Sequence, residues 1–257
     1  MPRFAANLTM MFTEFEFLDR FAAAADAGFD AVEFLFPYAY PPEVIGAQLA
    51  RHGLTQAMFN LPPGDWAAGE RGLACLPGRI DELVAGTARA LDYAAATGVT
   101  RLHLMAGLGD RTDPAALARY RDAVTRTGET LGEFGIDLLL EPINARDMKG
   151  YFLDDLDAAV ALITALGIGN VRLQFDLYHC QIMHGDLVTR LRRDIRMTGH
   201  VQVASVPSRH EPDGEEVNYK FLFDELDRLG YAGIVGCEYR PRGVTVDGLD
   251  WFAGYRR

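Results

Sequence analysis

Residues 171–179 read VRLQFDLYH, with Val171, Leu173, Phe175 and Leu177 alternating with Arg172, Gln174 and Asp176. Apolar residues at every second position predict a β-strand with one buried apolar side. The other side carries a carboxylate, which a hydrophobic strand holds only at a cost of several kcal/mol unless something pairs with it. The same irregularity recurs in three more runs: Glu141 in LLLEPI, Gln202 in HVQVAS and Glu238 in GCEYRP. Oxygen-bearing side chains in four such strands point to one shared ion.

Outward from this run, β-rich segments alternate with helical patterns along the whole chain. Strands are expected at 4–8, 31–36, 55–60, 101–107, 137–143, 171–177, 200–206 and 234–239. Apolar spacing near 3.6 predicts helices over Glu14–Ala27, Pro42–Arg51, Arg79–Thr97, Asp113–Glu133, Leu153–Leu166, Asp186–Arg196 and Tyr219–Leu229, with a short last one from about Val246 through Trp251. Glycines such as Gly53 and Gly98 close the helices just before the next strand. Repeated βα units imply parallel strands with right-handed crossovers, and eight of them close into a (β/α)8 TIM barrel. No composition shift marks a linker, so residues 1–257 are expected to form a single barrel domain. An open doubly wound sheet is the alternative, but the first βα turn has no GxGxxG or GxxxxGK[ST] phosphate loop.

Barrel parity then sorts the polar groups. With Leu138, Leu140, Leu173, Phe175, Val201, Val203, Val235 and Cys237 facing the helices, Glu141, Asp176, Gln202 and Glu238 face the interior. They come late in their strands, at the end where barrel active sites are built. The same parity turns Asn7, Glu33 and His103 inward.

Bulk properties exclude several function classes. A net charge of -11 and a pI near 5.0 argue against a nucleic-acid surface. No uncharged stretch approaches the roughly 18 to 20 residues that span a bilayer, so no membrane partner is expected. Cys75, Cys180 and Cys237 show no CxxC spacing and fit buried thiols in a reducing compartment. With no secretory signal in MPRFAANLTMMFTEFEF, the expected location is cytoplasmic.

Two Glu, one Asp and one Gln make a hard, oxygen-rich set that suits Mg²⁺, or Mn²⁺, better than zinc. The alternative is an internal polar network that supports the barrel. With a divalent ion between them, Glu141 and Glu238 suit proton transfer between adjacent carbons of a hydroxy-carbonyl compound, through an enediolate. Asp176 and Gln202 complete the metal shell. His179, three residues past Asp176, either hydrogen-bonds a substrate oxygen or faces solvent in a loop. Arg209, in VPSRHEPDGE, either clamps a substrate carboxylate or pairs with Glu211 or Asp213. His103 is a substrate contact or a hydrogen-bonded core histidine. The connection LPPGDWAAGERGLACLPGR is too long for an ordinary βα turn. Its Trp66 caps the site as a substrate-binding lid residue, or packs against a second copy in a homo-oligomer.

The segments FAANLTMMF, EFLFPY, NLPPGDWAAGERGLACLPGR, EPIN, QFDLYHCQ, HVQVASVPSRHEPDGEEVNY and GCEYRPRG, spread from about Arg3 to Trp251, resemble the hydroxypyruvate isomerase family of xylose-isomerase-like barrels. The resemblance implies reversible isomerisation of hydroxypyruvate and 2-hydroxy-3-oxopropanoate (tartronate semialdehyde), with Mg²⁺. It puts the proton donor and acceptor on Glu141 and Glu238, and the metal on Glu141, Asp176, Gln202 and Glu238. Related sugar epimerases have histidine where this chain has Gln202. The tail CEYRPRG and the PSRHEPDGE loop also look like close relatives that isomerise 2-oxo-tetronates, one carbon longer, which makes that activity the alternative. Two further rivals carry other expectations. A metal-dependent hydrolase of this fold, such as a nuclease cutting at abasic sites, calls for several metal-binding histidines and a basic surface. A non-catalytic sugar-acid binding protein calls for glutamate-to-glutamine variants that keep ligand binding with no activity to lose.

Overall fold

All the expected strands join one parallel sheet in the computed structural model, which describes residues 1–256. The strands are β1 (Arg3–Asn7), β2 (Ala31–Glu33), β3 (Thr55–Gln56), β4 (Phe59–Asn60), β5 (Arg101–His103), β6 (Asp137–Leu140), β7 (Val171–Asp176), β8 (Thr198–Val203) and β9 (Ile234–Cys237). Their order is β3-β2-β1-β9-β8-β7-β6-β5-β4. The expected third strand is therefore two short ones, broken at Ala57 and Met58. This break closes the ring: Ala57 N–H donates to Val32 O on one side, and Leu61 N–H donates to His103 O on the other. The result is an α/β TIM barrel.

The crossover helices are α1 (Arg20–Asp26), α2 (Pro42–His52), α3 (Ile80–Thr97), α4 (Pro114–Gly132), α5 (Leu156–Leu166), α6 (Leu177–Met183), α7 (Leu187–Asp194) and α8 (Tyr219–Arg228). Gly53 and Gly98 end α2 and α3 in the left-handed region, at φ 64 and 71, where a Cβ would add strain. Three boundaries differ from the sequence expectation. A 3-10 turn at Phe17–Asp19 precedes α1, and the last segment is two 3-10 turns, Thr245–Gly248 and Asp250–Tyr255. The third is α6, which starts directly from the end of β7, where a loop was expected. Asp176 is both the last residue of β7 and the N-cap of α6, its side chain accepting from the N–H groups of Tyr178 and His179 at 2.6 and 3.2 Å.

The barrel interior is polar in layers. Deep inside, Glu33 accepts from Asn7 at 2.9 Å, from His200 Nε2 at 2.7 Å and from the Gln202 amide at 2.9 Å. This carboxylate is fully buried, and three donors satisfy it. Gly236 faces the same group, and a Cβ there would overlap the Glu33 carboxylate. The apolar sides of β7, β8 and β9, with Leu173, Phe175, Val201, Val203, Val235 and Cys237, are fully buried in the main core.

Candidate active site

Each strand delivers its polar group at its C-terminal end. Glu141 directly follows β6, Asp176 ends β7, Gln202 precedes the last residue of β8, and Glu238 directly follows β9. Register aligns them, with Asp176 opposite Gln202 and Gln202 opposite Gly236. Above them opens a cavity of about 330 Å³, whose wall includes Glu141, Glu238, His103, His179, Arg209 and Trp66. Asp176 and Gln202 are buried beside it. All eight residues singled out in the sequence therefore lie at or beside one cavity.

The site is rich in negative charge. Burial holds the Glu141 carboxyl well above the usual glutamate range, and Glu238 and Asp176 push it further. Burial also lifts Glu238 to about 8 and Asp176 to about 6, with Arg209 opposing both shifts. Glu141 Oε1 and Asp176 Oδ2 are buried without a hydrogen-bond partner among the described residues. Ligand atoms of Glu141, Asp176 and His179 all lie within 4.8 Å of one another. Hard oxygen donors, two of them orphaned, in a site short of positive charge fit a divalent cation, which would relieve the repulsion that raises these carboxyls. Gln202 stands beside this group with its amide nitrogen toward Glu33 and Glu238, and its oxygen accepts from Gln174 Nε2 at 2.6 Å.

His179 is buried in the first turn of α6 rather than exposed in a loop. Its Nε2 is 3.8 Å from both Glu141 Oε1 and Asp176 Oδ2. Burial keeps this ring well below the usual histidine range, aided by Arg209 and His103, so it is neutral at pH 7. His103 is likewise buried, with Nδ1 3.3 Å from Asn60 Oδ1 and 3.7 Å from Glu141 Oε2. Burial lowers it to about 3, with a contribution from His200.

Arg209 does not pair with Glu211 or Asp213. Its Nη2 donates to Glu238 Oε1 at 2.7 Å, and its Nη1 donates to Asp147 Oδ2 at 3.0 Å. Its charged head also lies over the Tyr178 ring, 4.8 Å from the centroid. Arg209 holds φ 58, in the left-handed region, so the loop accepts backbone strain to deliver this side chain. The long connection after β4 brings Trp66 to the cavity wall, 38% exposed, with Arg71 stacked 3.9 Å from its ring and Phe36 beside it at 5.2 Å.

A family described as Xylose isomerase-like TIM barrel matches residues 21–255. The chain is 52% identical over 257 residues to a 2-oxo-tetronate isomerase of Cupriavidus necator, covering 99% of both proteins. It belongs to the hydroxypyruvate isomerase/2-oxo-tetronate isomerase family. This isomerase is also 41% identical over 262 residues to the hydroxypyruvate isomerase of Escherichia coli, covering 100% of each. A solved structure from Brucella melitensis, named as a family 2 AP endonuclease, is 49% identical with a TM-score of 0.97 over 100% of both chains.

Several residues of the candidate site carry no motif of their own. Asp147 sits in the loop NARDMKG, and only the fold reveals that it pairs with Arg209. Asn144, the last residue of EPIN, contacts His179 from 35 positions away. Arg71 and Arg240 line the same cavity. Their residue type could have drawn notice, because an acidic site that takes an acid needs local cations.

Proposed function

We propose that this isomerase interconverts 2-oxo- and 3-oxo-tetronate by proton transfer through a C2–C3 enediolate. The observation that carries the proposal is the pair Glu141 and Glu238, two buried carboxyls that line one cavity and are both pushed upward by burial, Glu238 to about 8. In the forward direction one glutamate removes the C3 proton and the other delivers a proton to C2. The O–H proton at C3 passes to the oxygen at C2 in the enediolate, so the hydroxyl at C3 becomes the carbonyl, the carbonyl at C2 becomes the hydroxyl, and atoms and charge balance.

Glu141, Asp176 and Glu238, with Gln202 beside them, would hold a divalent cation, Mg²⁺ first and Mn²⁺ second, which would supply Lewis acidity to the substrate. His103 and His179 face the substrate from the cavity wall. Arg209 holds Glu238 in place and, with Arg71 and Arg240, gives the acidic mouth the positive charge that receives the substrate carboxylate. Trp66 closes the wall and excludes water.

Sequence resemblance put the three-carbon hydroxypyruvate first. The four-carbon acid is favoured by the relative at 52% identity over the one at 41%. The nuclease named for the Brucella structure is the other reading, and a chain of net charge -11 with three buried carboxylates in its cavity lacks the cationic surface that DNA requires. The deciding assay follows 2-oxo-tetronate and hydroxypyruvate side by side, with metal-stripped and Mg²⁺- or Mn²⁺-reconstituted protein. Higher kcat/KM on hydroxypyruvate overturns the chain-length assignment, and no metal-dependent turnover of either acid overturns the reaction.

A further inference from the structure

The proton on the His179 ring is placed by the groups around its two nitrogens. The backbone N–H of Asp147 donates to Asn144 Oδ1 at 2.9 Å, and a backbone N–H can only donate. That contact fixes which end of the Asn144 amide is oxygen. The other end, Nδ2, therefore meets His179 Nδ1 at 2.6 Å as a donor. The backbone N–H of Asn144 points at the same ring nitrogen at 3.4 Å. A nitrogen that receives N–H donors must present its lone pair, so in the neutral ring the proton sits on Nε2. The single opposing contact among the described residues is Arg209 Nη2, 3.5 Å from Nε2, at the limit of a hydrogen bond and already donating to Glu238 at 2.7 Å. On its other side Nε2 faces Glu141 Oε1 and Asp176 Oδ2, two buried acceptors with no other donor among the described residues.

We infer that Asn144 is a positioning residue that locks His179 as its Nε2–H tautomer, so that His179 meets the substrate as a hydrogen-bond donor and supplies no ligand to the metal. An Nε2–H occupies the lone pair that coordination would need. The same N–H, aimed between two carboxylates at the cavity wall, reaches an oxygen that gains negative charge as the enediolate forms. This assigns the donor role within the reaction proposed above and rests on it. The tautomer itself depends only on geometry and involves no change of charge.

Two readouts separate the lock from the reaction. Long-range ¹H–¹⁵N spectra of histidine-labelled protein report the protonated nitrogen directly. For wild type we expect an unprotonated Nδ1 and a protonated Nε2 on His179, unchanged when Mg²⁺ is added. A protonated Nδ1, or loss of the Nε2 proton on adding Mg²⁺, overturns the inference whatever the substrate. Asn144→Asp keeps an acceptor for the Asp147 N–H but presents a carboxylate to Nδ1, so the ring should invert to Nδ1–H. The variant should then bind Zn²⁺ at least about tenfold more tightly, because Nε2 becomes a free ligand, and lose about a hundredfold in kcat. His179→Ala should leave the Mg²⁺ Kd within about threefold of wild type while kcat falls by about a hundredfold. A tenfold or greater loss of Mg²⁺ affinity in His179→Ala overturns the donor assignment. Wild-type protein that turns over neither oxo-acid sinks the proposed reaction but leaves the spectroscopic result standing.

Discussion

Arg209 Nη2 lies 2.7 Å from Glu238 Oε1, and both side chains are nearly excluded from solvent. This guanidinium is the nearest compensating charge for a carboxyl that burial otherwise drives toward neutrality. Removing one member of a buried pair leaves the other uncompensated, so Arg209→Ala should lower the unfolding free energy of metal-free protein by about 3 to 5 kcal/mol. Urea melts with and without EDTA test this, and an unchanged midpoint would reject the pairing as a structural contributor. If the arginine also grips substrate, kcat/KM for the oxo-acids should fall much more than for uncharged analogues. Equal losses would reject the carboxylate contact.

Glu141 and Glu238 are assigned complementary proton transfers, so neither should substitute for the other. Glu141→Gln and Glu238→Gln should each lower kcat by about a hundredfold or more, on the scale of general acid and base groups. Near-wild-type turnover in both variants would sink the assignment. Solvent deuterium should enter the substrate during reversible turnover, whereas its complete absence would point to a hydride shift or a shielded proton.

The barrel and most of its site could be read from the chain because strand parity is a local property. Alternation in VRLQFDL turns Asp176 inward without knowledge of any neighbour, and the same holds for Glu141, Gln202 and Glu238. The third strand could not be read, because TQAMFN is a continuous β-rich run whose break at Ala57 and Met58 is set by hydrogen bonds to β2 and β5. Helix α6 was missed for a different reason. Its seven residues, LYHCQIM, are too few to show a 3.6 period, and the turn that normally announces a helix is absent because Asp176 caps α6 from within the strand. The protein partners of Arg209 could not be read from the chain, because Glu211 and Asp213 are close in sequence, whereas Asp147 and Glu238 are close only in space.

Three carboxyls sharing a small volume with one arginine predict a strong link between metal and stability. Chelation should abolish turnover, and Mg²⁺ or Mn²⁺ should restore it. Because the ion binds the folded site and not the unfolded chain, a hundredfold excess over its Kd should add about 2.7 kcal/mol to the unfolding free energy. Thermal melts across a metal titration measure this. A melting temperature independent of metal, with full activity in EDTA, would remove the cation from the mechanism.

Glu70 ties down the long connection that carries Trp66, which makes this wall of the cavity sensitive to acid. Its carboxylate accepts from Arg79 and, at 2.6 Å, from the backbone N–H of Asp65. The Arg79 hydrogen bonds, helped by the Asp65 N–H, hold this carboxyl down from an ordinary 4.5 to about 2. A depressed folded value favours the folded state above the unfolded pKa, so the contribution is complete above about pH 5 and fades as pH falls toward 2. Glu70→Gln should therefore melt below wild type at pH 7, and the two melting curves should converge as the pH drops through this window. The side chain is 25% exposed, so water and salt weaken the ion pair, and the gap at pH 7 should be small and shrink further with added salt. Limited proteolysis gives the local counterpart, with faster cleavage between residues 61 and 79 in the variant at pH 7. A melting difference that stays constant from pH 7 to pH 2 would show that Glu70 acts through packing rather than through its charge.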